Sequence, residues 1–217
     1  EGYSFTTESA ITFANIQFPT NTVVNETENV TIYGQLTVPG VTDNDGNNTT
    51  IKAWVGLNTE NTNPATWDES AWELADYNVD KESTDEYKAE VGEELALGKY
   101  YYAFRYQYKE QTFVYGGIDG EWDGASGELE VLEIPSLVTP LNNTTKVDLD
   151  GVLSWETTDD RIKGFQLQID DEPTLGSPLV DELGIAASEQ SYTITEGVLE
   201  HATKYFWKVR AVYDTTN

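Results

Sequence analysis

Five aromatic rings stand at alternate positions along one stretch, Tyr100, Tyr102, Phe104, Tyr106 and Tyr108, with Arg105 on the opposite parity. A helix would scatter these rings around its axis, whereas an extended strand lines them up on one face. The same period of two runs from Val30 to Val38, where Ile32, Leu36 and Val38 oppose Thr31, Gln35 and Thr37. Ile51–Leu57, Phe113–Tyr115 and Gly127–Leu132 read as further strands, separated by polar turn clusters at 43–48 and 119–124. The best helix candidate, Asp68–Ala75, is short. Strands recurring about every 8–12 residues with turns between them predict a β-sandwich.

The pattern restarts near Ile134-Pro135-Ser136. Leu137, Val138 and Leu141 open it, followed by Val147–Trp155, Phe165–Ile169, Leu179–Leu183, Tyr192–Ile194 and Tyr205–Tyr213. The expected fold class is all-β: two consecutive antiparallel β-sandwiches joined by a short linker, Glu133–Ser136, stiffened by Pro135.

Composition narrows the chemistry. Among 217 residues, 39 acids face 12 bases, a net charge of -27 that argues against nucleic acid or an anionic membrane as partner. There is no Cys, so disulfides, thiolate metal sites and Cys nucleophiles are excluded. The single His, His201, cannot build a catalytic pair or a multi-His metal site. No apolar run reaches the ~20 residues that span a bilayer. Aromatic residues make up 12% of the chain, more than a disordered acidic chain carries, so a core can form. The chain begins at Glu1 without a signal peptide, and reads as a mature or excised segment.

Pro140, Leu153-Ser154-Trp155, Gly164-Phe165-Gln166-Leu167-Gln168-Ile169, Leu199 and Thr203–Ala211 occur in that order. On these residues the segment 135–217 resembles a bacterial fibronectin type III domain of the kind strung along secreted proteins. The resemblance implies that Trp155 is a core residue and that Leu199 and Tyr205 make the corner before the sixth strand. It also implies a seventh strand, which is missing after Asp214-Thr215-Thr216-Asn217. A matching segment occurs at the other end, Gly2-Tyr3-Ser4-Phe5-Thr6-Thr7, where Tyr3 and Phe5 alternate with Ser4 and Thr6. Residues 1–8 therefore read as the last strand of a preceding or neighbouring domain of the same kind. Three arrangements fit: a piece of a longer array, one period of an identical repeat, or a subunit whose first strand completes its neighbour by strand addition.

Residues 9–134 are similar to an immunoglobulin-like module of secreted multidomain bacterial proteins. The resemblance rests on Phe13–Pro19, Ile32-Tyr33-Gly34-Gln35, Ala53-Trp54-Val55-Gly56, Asp85-Glu86-Tyr87, Gly98–Arg105, Tyr115-Gly116-Gly117 and Trp122-Asp123-Gly124. Such modules accompany enzymes and adhesins alike.

Two sites are expected as candidates. Trp67, Trp72, Tyr115 and Trp122, beside acidic and amide side chains, are candidates for a carbohydrate platform; the competing expectation is that the rings cover the core. Asp43, Asp45 and Asn47 alternate around Gly46 as the first part of a calcium loop does, although the closing bidentate Glu is missing. Ca2+ is the one cofactor considered. Arg105 and Arg210, within strands, are placed to stack on rings or pair with carboxylates. No phosphate loop, nucleophile elbow or metal motif occurs. The expected function is a non-catalytic extracellular structural or adhesive unit of a stalk, adhesin or filament. Its partners are neighbouring copies or adjacent domains, joined through Tyr3 and Phe5. The alternative is an accessory polysaccharide-binding module of a secreted enzyme.

Overall fold

A computed structural model describes residues 10–213. The chain divides after Leu132 into two compact units, both all-β. In the first unit β1 (Phe13–Phe18), β3 (Val30–Thr37), β7 (Thr84–Val91) and β6 (Asp76–Lys81) form one sheet in the order β1-β3-β7-β6. The other sheet runs β2 (Asn21–Asn25), β10 (Gly127–Leu132), β8 (Gly98–Tyr108), β4 (Ile51–Asn58) and β5 (Trp72–Leu74), with β9 (Val114–Gly116) also on β8. All pairs are antiparallel except β2 with β10.

Strand β8 organises the core. Tyr102, Phe104, Tyr106 and Tyr108 are buried on its inner face against Ile16, Ile32, Leu36 and Tyr87 of the facing sheet. Rings of this size need small neighbours. A Cβ on Gly34 would lie 2.2 Å from Tyr106 Oη and 2.6 Å from the Phe104 ring, and one on Gly127 2.3 Å from Tyr102. The buried phenols find backbone acceptors: Tyr106 donates to the Asn15 carbonyl at 3.2 Å and Tyr102 to that of Pro19.

The second unit holds β11 (Ser136–Thr139), β12 (Val152–Glu156) and β15 (Ser191–Thr193) in one sheet. In the other, β13 (Gly164–Asp170) lies between β14 (Val180–Ala186) and β16 (Phe206–Val212). Trp155, 1% exposed, meets Phe165 edge-on at 5.3 Å in the core. Tyr205 Oη accepts the Glu200 N–H at 2.9 Å, next to buried Leu199, which is the corner that the resemblance implies.

Two expected elements differ. Asp68–Ala75 is not a helix: a single 3₁₀ turn, Glu69–Ala71, leads into β5, whose Trp72 lies across Gly56 of β4. Pairing with β4 satisfies more backbone groups there than an isolated turn of helix could. The strand expected from Val147 begins only at Val152, because residues before it form a turn closed by Gly151 N–H to the Asp148 carbonyl. Strands β2, β6 and β7 lie in stretches whose polar residues mask the alternation.

Replacing Gly34 by Ala forces a methyl into the Phe104 and Tyr106 rings. A loss of about 1–3 kcal/mol is expected, read as a lower denaturant midpoint with the slope unchanged. An unaltered midpoint would show that these rings can retreat.

Candidate functional site

The outer face of β8 is not left to water. Arg105 stands there, 4% exposed, between its cross-strand neighbours Trp54 of β4 and Tyr115 of β9. Its guanidinium lies 4.9 Å from the Trp54 ring, 4.7 Å from Trp72 and 4.5 Å from Phe113. Its two terminal nitrogens fork onto both carboxylate oxygens of Glu69, one at 2.8 Å. Glu69 itself is open to solvent, and the guanidinium holds its carboxyl below the usual range. A planar, weakly hydrated guanidinium suits this position, since it stacks on rings while its edge meets a carboxylate.

The segment before β5 completes the array. Asn63 caps the 3₁₀ turn Pro64–Thr66, and Asp68 caps Glu69–Ala71 by accepting from Ser70 N–H and hydroxyl. These two turns set Trp67 flat on Trp72 at 5.5 Å, with Trp67 Nε1 donating to Thr62 Oγ1 at 3.1 Å. Trp72 meets Tyr115 at 5.8 Å. The result is a second hydrophobic cluster, built on Ala103, outside the main core.

This placement corrects the carbohydrate expectation for two of its four residues. Trp67 and Trp72 are each 8% exposed and cover one another, so they present no open ring to a sugar. Tyr115 belongs to the same cluster and is half-buried. Trp122 stands apart, half-buried, with its indole N–H on Ser126 Oγ at 3.0 Å. Arg105, expected to stack or to pair, does both. The contributions of Glu69, Trp54 and Phe113 depend on cross-strand register, which sequence spacing alone does not carry.

The calcium expectation also changes. Asp43 Oδ2 accepts the Gly40 N–H at 2.7 Å and closes its own turn, while Gly46 N–H points to Asp80 Oδ2 at 2.9 Å. Asp43, Asp45 and Asn47 are exposed. Among the described residues no three His, Cys, Asp or Glu side chains gather into one cluster. Loop spacing placed the carboxylates close in sequence, but turn formation spreads them outward.

A third place is an edge. Strand β16 pairs with β13 on one side and with no strand on the other among the described residues. Its inward residue Val209 is buried, with Trp207 and Ala211 half-buried. All four residues of β11, in the other sheet, are exposed, including Leu137 at 43% and Val138 at 37%, and Leu141 beyond it is 71% exposed. Tyr3 and Phe5, the expected covering strand, lie outside the described residues.

No family model and no curated protein matches the chain. Among solved structures it is similar to the FN1–FN3 domains of chicken CNTN1, at 12% identity and a TM-score of 0.31, over 88% of this chain and 57% of that one. The chain thus spans a little over half the length of that structure.

Arg105→Lys keeps the charge and loses the fork and the stacking plane. The first unit is expected to lose about 1–3 kcal/mol, with a red shift of tryptophan emission as Trp54 and Trp72 gain water. Glu69→Gln should have the smaller effect of the two. Equal effects would mean that the ion pair, not the stacking, holds the array.

Proposed function

We propose that the chain is a non-catalytic extracellular unit of a structural or adhesive assembly, in which one unit hands a strand to the next. The observation that carries this reading is the side of β16 that no described strand pairs with, together with the exposed apolar residues of β11 and Leu141. An unpaired edge over an uncovered core attracts another strand, which would satisfy its N–H and C=O groups and cover the exposed side chains. In sequence Tyr3 and Phe5 alternate with polar Ser4 and Thr6, the pattern such a strand needs. A net charge of -27 keeps units from associating through other surfaces.

The competing reading, an accessory polysaccharide module, is weakened by the burial of Trp67 and Trp72, since it needed flat exposed rings. The non-catalytic part draws support from the single His and from the use of Arg105 in packing.

Sedimentation of the full chain over a range of concentrations tests the strand transfer. Wild-type protein is expected to form linear oligomers, and a double variant Tyr3→Asp with Phe5→Asp to stay monomeric. A synthetic peptide of residues 1–8 should bind that variant and raise its melting temperature. A monomeric wild type that also ignores the peptide defeats the proposal. Incubation with polysaccharides, esters and phosphodiesters should give no turnover.

A further inference from the structure

The face of β7 that turns toward the core carries Asp85 and Tyr87 at alternate positions. Asp85 is fully buried, yet among the described residues no N–H or hydroxyl group bonds either of its carboxylate oxygens. Directly across the β6–β7 pair stands Asp80, whose Oδ1 is likewise buried without a donor. Tyr87 Oη is a further buried oxygen without a partner. Of the six buried side-chain atoms without partners among the described residues, these are four. Such atoms are rare in folded proteins, and a cluster of them marks a missing proton, water or ion.

The surroundings say which. From β6, Asp80 and Tyr77 face Asp85; from its own strand, Tyr87; and from β3, apolar Leu36 is its cross-strand neighbour. Asp45 of the adjacent loop stands near Tyr77, and Tyr106 of β8 packs on Tyr87 at 6.2 Å. The cations of the hairpin, Lys81 and Lys88, have the other parity, Lys81 pairing with Thr84 rather than with Asp85. Among the described residues a metal lacks a third carboxylate or imidazole here. A water could donate to both carboxyls but would leave two facing charges, one of them buried, whereas a proton removes one charge and joins the pair. The two carboxyls are within hydrogen-bonding reach of each other, and that bond exists only if one of them is protonated.

The pair is asymmetric in a way that assigns the proton. Asp80 has outside donors, the Gly46 N–H at 2.9 Å and the Tyr77 phenol, and these favour its anion. Asp85 has none. We propose that Asp85, as the acid, donates to Asp80, as the carboxylate, and that this shared proton is a latch fastening edge strand β6 and the 43–48 loop to the sandwich. Loss of the proton leaves two facing carboxylates, one of them fully buried, and the latch opens.

The electrostatics agree with this assignment. Tyr77 and Gly46 hold Asp80 below its ordinary range, while burial, followed by the Asp80 charge, pushes Asp85 up to about 6. An unfolded Asp titrates near 4. Between about 4 and 6 the folded chain therefore holds a proton that the unfolded chain has released. Stability from this pair is complete below that window and is lost as pH rises through about 6.

Hydrogen exchange of the β6 and 43–48 amides in the full chain, at pH 4.5 to 8 and about 1 M NaCl, provides the test. The salt suppresses repulsion between surface carboxylates and leaves the buried pair largely unscreened. After correction for intrinsic exchange, wild-type protection should fall ~10-fold or more between pH 5 and 7. In Asp85→Asn the side-chain amide donates at every pH, so protection should stay level. Parallel profiles in the two proteins would overturn the latch. So would a gain in protection with Ca2+ at pH 8 that Asp85→Asn abolishes, since that would assign the pair to a metal. If the variant does not fold, the carboxyl of wild-type Asp85 followed by carbon NMR decides: a midpoint near 6 supports the latch and one near 4 refutes it.

Discussion

Strand β8 is buried on both faces, and each face imposes a different rule. Inward, Tyr102, Phe104 and Tyr106 fill the space between the sheets and require glycine opposite them, at Gly34 and Gly127. Outward, Arg105 could be desolvated only with a carboxylate at its fork and rings along its faces. The excursion between β4 and β5 supplies Glu69 for the fork, and the rings come from Trp54 of β4, Trp72 of β5, backed by Trp67, and Phe113 before β9. Neighbouring strands are selected by what they bring to β8.

That requirement changes the meaning of an exposed-looking motif. Trp67 and Trp72 sit among Asn, Thr, Asp and Glu, a neighbourhood that in sequence suits a sugar-binding surface. In the fold the polar residues cap the 3₁₀ turns, Trp72 lies against Arg105, and Trp67 packs with Trp72 and Ala103. Buried ring area favours this packing strongly, and nothing comparable is gained by leaving two indoles in water.

The alternation of Val30–Val38 was legible because the strand buries one face with apolar side chains, and the observed burial has that parity. Tyr100–Tyr108 was legible from its alternating rings, although Ala103 and Arg105 on the other parity are buried as well. The second unit was legible for the same reason and from the order of its motifs, from Trp155 to Tyr205. Strand β7 was hidden by Asp85 itself: an acid at an inward position breaks the apolar pattern that would have announced a strand. The turn at Asp68 was misread because a capping Asp followed by Glu opens a 3₁₀ turn as readily as a helix. Glu69 and Phe113 were beyond reach, since their roles depend on which strands lie side by side.

The exceptions to partner satisfaction share one character. Arg105 receives a carboxylate for its two terminal nitrogens and rings for its faces from within its own unit, while its Nε stays buried without a partner. Asp85 and the outer side of β16 are not supplied by any described residue, and the two differ in what would complete them. A buried carboxyl facing another needs only a proton, which solvent delivers at a pH the carboxyl sets for itself. A strand edge left open among the described residues needs a run of backbone with side chains of matching parity, which a segment of protein delivers. The first completion answers to acidity and the second, under the proposed strand transfer, to the concentration of neighbours. The latch would then govern the first unit and the strand transfer the second, on separate controls.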